Sequence, residues 1–339
     1  MCMELSLRVQ VAEKSGETVT TTIMEFADIT NTIRISSTRF DSPAKMTFTC
    51  IEKGNLAIPE GSSVELTVDG QQVFKGYIFT AVRNRDGETQ YTAYDQLRYL
   101  KANASYTFVA QSLEDIIRRI AADFNLTVGT LEETGYTFPC LIKENETCLD
   151  IIFEALSQTI IQTGRIFNFY DDAGELSLVE ARNMYTNQLI GTGSLLTEYQ
   201  YKRDIDSDTY NRIKLVRPNR TTGRADAYIY EDSDTIEKWG LLQYYDTVDE
   251  NMNAAQIEQM CQQYLQYYNR VLQTVSLESV GILGVRAGSI IPVRIEDVSD
   301  LSAIRLMIAE KVTHTFEGNQ HTMKVEVKSF SQLGGISVG

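Results

Sequence analysis

The chain has 339 residues, with 31 basic and 46 acidic side chains giving a formal net charge of −15. That balance speaks against a protein that wraps nucleic acid through phosphate contacts, and no specific nucleic-acid binding is expected. Five cysteines, at positions 2, 50, 140, 148 and 261, are too few and too scattered for a secreted disulfide framework. Residues 1–20 lack a signal-peptide pattern and no apolar run reaches membrane-span length, so no membrane insertion is expected either.

Met3–Val11 alternates Leu5, Leu7, Val9 and Val11 with polar residues, the period of a half-buried strand. Further strands are predicted at Lys45–Glu52, Ser63–Val68, Val73–Asn84 and Glu88–Tyr94. Gly16, Gly54, Gly61, Asp69-Gly70 and Asp86-Gly87 act as turns between them. Short, closely spaced strands without a long helix indicate a sandwich or barrel over residues 1–101.

At Ser112 the period changes. Ser112-Leu-Glu-Asp115 has the form of a capping box with Asp in the place usually held by Glu or Gln. Leu113, Ile116, Ile117, Ile120, Ala121 and Phe124 then form one helical face. Thr147-Cys-Leu-Asp150 opens a second helix with Leu149, Ile152, Phe153, Leu156 and Ile160 inward. A strand pair, Arg165–Tyr170 and Glu175–Glu180, completes an α+β domain over 102–200. Much of the acidic excess lies here: residues 111–200 hold 5 basic and 14 acidic side chains, 5 − 14 = −9, which reads first as a solvated face.

Strands return at Thr209–Arg217 and Arg224–Glu231, interrupted by a long amphipathic helix from Asn253 to Thr274. Its stripe is Ile257, Met260, Cys261, Tyr264, Leu265, Tyr268, Val271 and Leu272. The rest to Phe330 reads as β-structure, and residues 334–339 as a frayed tail. One internal echo stands out. Gly61-Ser-Ser-Val-Glu-Leu-Thr-Val68 resembles Gly288-Ser-Ile-Ile-Pro-Val-Arg-Ile295, and each precedes an alternating strand, a glycine turn and another strand. The alternatives are chance likeness of two β-meanders or two related β-barrels flanking an α/β insertion.

The search for chemistry returns negatives. His314 and His321 face each other across Gly318 as a conceivable metal pair, but no third ligand is evident and inert, exposed histidines are the expectation. Asp204-Ile-Asp-Ser-Asp208 starts like a calcium loop, yet Thr209 and Leu215 occupy the glycine and glutamate positions. Gly191-Thr-Gly193 lacks the rest of a dinucleotide fingerprint, and no phosphate loop or nucleophile elbow occurs. Nothing singles out an acid pair among 46 carboxylates. The basic run Arg217–Arg224 reads as a hairpin tip or partner contact. No catalytic residue, cofactor site or metal site is assigned. Among eighteen tyrosines and one tryptophan, Trp239, Tyr264 and Tyr267 are the candidate partner-interface residues, since such rings offer apolar area with a polar tip.

Four segments in order resemble the XkdQ/YqbQ-type phage tail proteins. They are Tyr91–Leu100 with Tyr106-Thr-Phe and the Ser112 helix; Asp206-Ser-Asp-Thr-Tyr-Asn-Arg-Ile213; Asp232–Leu242, with Trp239 where that family often has Tyr; and the stretch from Gly288 to Met323. The resemblance implies a mainly β, α+β chain with two tail-tube-like β-barrels (1–101 and 201–339) and the 102–200 domain inserted between them. It further implies a non-enzymatic baseplate hub of a contractile tail or phage-tail-like bacteriocin: a homotrimer whose six barrels join a hexameric tail tube protein to a trimeric central spike protein. Other baseplate proteins and the tape measure protein are the further implied partners, and assembly takes place in the host cytoplasm. In such a ring the acidic charge would repel passing DNA. With little chain after Phe330, a spike or lysozyme is expected on separate chains. The competing readings are the hub-like portion of a non-contractile tail, a peptidoglycan hydrolase on a β scaffold and a monomeric glycan-binding adhesin.

Overall fold

The computed structural model describes all residues except 1–2, 16–17, 26–29, 52–57, 220–223, 251 and 330–339. The expected turns at Gly16 and Gly54, the tip of the basic run and the expected frayed tail lie outside the described residues. The first hundred residues form β1 (Leu5–Ser15), β2 (Thr18–Glu25), β3 (Thr30–Thr38), β4 (Lys45–Ile51), β5 (Ser63–Val68), β6 (Gln71–Arg83) and β7 (Glu88–Tyr94). β2 and β3 have no counterpart in the sequence reading, because Thr and Ser outnumber apolar residues in both and blur the alternation. Elsewhere alternation translates directly into pairing: Leu7 lies opposite Leu66 and Val9 opposite Val64, while Phe48 lies opposite Tyr91 and Met46 opposite Ala93. All eight side chains are buried in one core, where the Phe48 and Tyr91 rings stack with centroids 5.3 Å apart. Asp69 and Gly70, both with positive φ, make the two-residue turn that sets Val68 opposite Gln71.

β8 (Asn103–Ser112), α1 (Leu113–Asp123), β9 (Val128–Leu131), β10 (Thr137–Thr147), α2 (Cys148–Thr163), β11 (Phe167–Asp171) and β12 (Leu176–Glu180) follow. The Asp-containing capping box forms: the Ser112 hydroxyl accepts from the Asp115 amide at 3.3 Å, and the Asp115 carboxylate accepts from the Ser112 amide at 3.2 Å. Thr147 caps α2 through one arm only, its hydroxyl accepting from the Asp150 amide at 3.1 Å, and Gly164, at φ 68°, ends the helix. The faces read from sequence point inward, except that Phe124 and Ile160 pack only partly buried at the margin of this core. α2 also buries Ile151, one residue off its expected stripe, because both β10 and α1 pack against it.

The second half contains β13 (Ile190–Gly191), β14 (Leu196–Asp204), β15 (Arg212–Asn219), β16 (Arg224–Glu231), α3 (Ser233–Trp239), β17 (Gln243–Thr247), α4 (Ala254–Tyr268), β18 (Leu272–Val280), β19 (Ile290–Arg294), β20 (Arg305–Glu317) and β21 (Gln320–Ser329). The long helix is a correction to the sequence reading: it stops at Tyr268 and not at Thr274. Asn269 caps it, donating its side-chain amide to Asp232 at 3.0 Å, and Leu272 already belongs to a strand with alternating burial.

The chain divides into two compact units, one of residues 1–199 with 276–327 and one centred on 200–275. Residues 276–327 belong to the first unit, as does the stretch 102–199. In the 200–275 unit, α4 lays Ile257 and Cys261 over Ile213 and Leu215 of a three-stranded sheet ordered β16-β15-β17.

The largest sheet has 13 strands and, among the described residues, no sheet closes on itself. Its order shows the internal echo as architecture. β3-β4-β7-β6-β5 and β14-β18-β21-β20-β19 are two runs of five hydrogen-bonded neighbours, joined where β20 pairs with β3. The echoed glycines play one role in both. Gly61 (φ 84°) donates to the Ile78 carbonyl at 2.7 Å, and Ile78 donates back to Ser62 at 3.0 Å. Gly288 (φ 94°) donates to Ala309 at 2.8 Å, and Ala309 donates back to Ser289 at 2.9 Å. A positive φ followed by a Ser immediately before a strand explains why the same dipeptide recurs.

Candidate functional site

The 200–275 unit concentrates aromatic rings. Tyr244 of β17 stands at the centre of Tyr210, Tyr264 and Tyr268, with centroids 5.3–5.5 Å from it. Burial, then the Asp246 carboxylate that accepts its hydroxyl at 3.2 Å, push its phenol up to about 12. Of the three candidate contact residues, Tyr264 packs against the α4 core. Trp239 ends α3 half-buried. Tyr267 is exposed, with its ring edge on Tyr268 at 4.8 Å and the Arg270 guanidinium over it at 4.2 Å. Tyr264 and Tyr267 both pack on Tyr268, at 5.9 and 4.8 Å, whereas among the described residues no ring contact joins Trp239 to them. Sequence reasoning missed the exposed Ile229 and Tyr245, which share a row with Lys214 across the three strands, on the face opposite Leu215. The alternation of β16 was the available signal.

His314 and His321 do face each other, half-buried and not exposed as expected. His314 Nδ1 lies 2.9 Å from His321 Nε2, and His314 Nε2 lies 2.7 Å from the Val285 carbonyl oxygen. A carbonyl only accepts, so His314 is assigned its proton on Nε2 and accepts from His321 at Nδ1. Burial lowers the pKa of His314; burial and then the neighbouring His314 bring His321 down to about 4. Among the described residues no group of three or more His, Cys, Asp or Glu is placed to hold a metal ion.

The pair makes stability pH-dependent with a definite sign. Between about pH 6.5 and 4 the unfolded chain takes up a proton at His321 that the folded chain refuses, so stability falls as pH falls through that window. The full shift sets a ceiling of about 3 kcal/mol, which partial exposure of the ring reduces to about 1–2 kcal/mol. Denaturant unfolding of the wild type and His321→Gln at pH 4, 5, 6 and 7 should show the wild type losing that amount relative to the variant. Parallel profiles would refute the assignment.

The calcium-like loop is already satisfied from within. Asp204 accepts from Lys202 at 2.8 Å, Ser207 at 2.6 Å and the Asp206 amide at 2.8 Å, which hold its carboxyl below the usual range. In the basic run, Arg217 donates to Asp226 at 2.7 Å and to the Met252 carbonyl at 2.8 Å, anchoring a hairpin. Gly191 pairs along Arg294, and a Cβ there would collide with the Arg294 carbonyl oxygen; the Gly-Thr-Gly stretch is a close strand approach. Among the described carboxylates, two aspartates, Asp95 and Asp171, stand above their ordinary range. Burial first, then the nearby Asp171 carboxylate, raises Asp95 well above its ordinary value, and burial raises Asp171. Neither carried a sequence signal beyond being a turn or cap aspartate.

Comparison with known proteins completes this picture. The YqbQ-like family matches residues 33–328. The chain belongs to that family. It is 32% identical over 308 residues to the phage-like element PBSX protein XkdQ of Bacillus subtilis strain 168, covering 88% of this chain and 92% of that one. Its fold matches the 43 kDa tail protein of prophage MuSo2 from Shewanella oneidensis with a TM-score of 0.69 at 13% identity, over 96% and 98% of the two chains. It also matches a chain of the Francisella PdpA-VgrG complex, with a TM-score of 0.59 at 11% identity, over 99% of this chain and 59% of that one. The chain is thus a mainly β member of the YqbQ-like family whose fold is shared with a solved phage tail protein.

Proposed function

We propose that this chain is the baseplate hub of a contractile phage tail or phage-tail-like particle, acting as a homotrimer that joins a hexameric tail tube to a trimeric central spike. The observation that carries this reading is the repeated five-strand run, with its repeated Gly-Ser turn and reciprocal hydrogen bonds. If each run walls one tube-like barrel, a chain presents two similar surfaces, and three chains around a threefold axis present six. One face then matches a sixfold tube while the opposite face retains the threefold of a spike. The task is symmetry matching, for which no reacting group is needed. Other baseplate proteins and the tape measure protein are further partners of such a hub, which resides in the tail baseplate after assembly in the host cytoplasm. Exposed Tyr267 and half-buried Trp239 remain the ring contacts proposed for partner surfaces.

Light scattering on a sizing column, over a range of concentrations, tests the proposal. The expected species has about three times the 38.3 kDa of one chain, alone or once the cognate spike is added. A chain that stays monomeric with its spike present would end the hub reading.

A further inference from the structure

The outward face of the sheet in the unit of residues 1–199 and 276–327 carries a patch of rings and cations. Directly paired residues share a face, so Thr313, Ser36, Lys45, Tyr94 and Tyr77 form one row across β20-β3-β4-β7-β6. The next row on that face runs from Thr315 to Thr80 and consists of four threonines and Arg34. Both rows alternate along the strands with buried residues such as Met46 and Ala93, which places them on the side away from the core. Phe79 sits where the register of β6 shifts, and its ring meets Tyr94 at 5.6 Å. A short 3-10 helix, Gln96–Lys101, then lays Tyr99 5.5 Å from Tyr77 and the Arg98 guanidinium 5.2 Å over Phe79.

Charge in this patch has one sign. The two rows contain two charged residues, Arg34 and Lys45, both exposed and both basic, and Arg98 adds a third cation above them. Among the described residues none of the three has a carboxylate within ion-pair distance. Carboxylates bordering the rows are engaged: Glu65 with Lys75 at 3.6 Å, and buried Asp95 with the Ala44 and Leu97 amides at 2.9 and 3.1 Å. Exposed Asp41 and Glu60 lie in loops outside the rows. Three cations left unspent around a cluster of rings, in a chain of net charge −15, fit a ligand that brings carboxylates.

We propose that this face docks an acidic segment of a partner protein, whose apolar side chains pack beside Tyr99 and whose carboxylates pair with Arg34, Lys45 and Arg98. A basic segment would meet the same three cations as repulsion. A nucleic acid also brings negative charge, but a single strand stacks successive bases on successive open rings. Here Tyr77 meets Tyr99 and Phe79 meets Tyr94 edge to face, Arg98 covers Phe79, and of the four rings only Tyr99 is exposed, by 38%. Aromatic rings with arginine, bordered by hydroxyls, have the composition of the centre of a protein interface. The inference does not depend on the hub reading, since an acidic partner in any assembly would satisfy it.

Isothermal titration of the full chain tests it at about 0.1 M salt, where a screening length of about 10 Å mutes distant acidic charge and spares contact pairs. The probe is the blocked peptide Glu-Glu-Leu-Phe-Leu-Glu-Glu, beside the same peptide with Lys for Glu and a short oligothymidylate. The acidic peptide is expected to saturate with a Kd of about 1 mM or tighter, and the lysine peptide to show no saturation. Replacing the exposed pair together, Arg34→Glu with Lys45→Glu, spares the core and is expected to weaken the acidic peptide about tenfold or more. No saturation by the acidic peptide up to about 10 mM, or unchanged affinity in the folded double variant, overturns the proposal. Equal binding of the lysine peptide overturns the charge selection, and tighter binding of the oligothymidylate makes the face a nucleic-acid site instead. Should the double variant fail to fold, Arg98→Gln decides: about threefold weaker binding is expected, and unchanged affinity is the refuting result.

Discussion

Gly76→Ala is expected to destabilise the first-half sheet by about 3 kcal/mol, although alanine is usually the better residue inside a strand. Gly76 lies buried in β6, between Phe74 and Ile78 on the inward face. A Cβ there would collide with the carbonyl oxygen of Tyr94 and approach the Phe74 ring at 2.9 Å. The Tyr94 atom is backbone of the adjoining strand, and Tyr77 pairs directly opposite Tyr94, so relief requires the two strands to separate. The measurement is the urea midpoint, read with a probe local to residues 5–94, because a two-unit chain need not unfold in one step. A loss below about 0.5 kcal/mol would mean that the β6–β7 approach is looser than described.

Phe108→Ala is expected to cost about 3–5 kcal/mol. Its side chain is fully buried in the α/β core, stacked on Tyr106 at 5.3 Å with the Arg119 guanidinium 5.4 Å from its centroid. β8 ends at the Ser112 cap, so truncation opens a cavity beside α1 where the strand cannot collapse without moving the helix start. Ile161→Ala is the control. That side chain is 76% exposed on α2, and its loss should stay within about 0.5 kcal/mol of wild type by the same denaturant titration. Similar losses for the two variants would contradict the burial assigned to each.

Local chemistry was legible wherever a residue's role depends on near neighbours. The Ser112 box, the Thr147 cap, the Asp69-Gly70 turn and the inward faces of α1 and α2 all rest on spacings of two to four residues. Where a signal was diluted, reading failed: β2 and β3 are rich in threonine and serine, and the α4 stripe ran on through Val271 and Leu272 because a strand's first apolar residues also fit helical spacing. The histidine pair was visible as a placement across Gly318, but not the Val285 carbonyl that arrives from elsewhere in the chain to bond His314.

By itself, the sequence determined the mainly β character, the capped helices, the family likeness and the Gly61/Gly288 echo, since each is written in short-range pattern or in segment order. Only the tertiary structure decided that the echo is a repeated five-strand run, because hydrogen-bonded neighbours such as β4 and β7, or β18 and β21, lie far apart along the chain. It alone separated 200–275 as a unit with its own core. Among the described carboxylates it also set Asp95 and Asp171 apart, because burial depends on what other segments fold over a residue, and a single sequence does not record that.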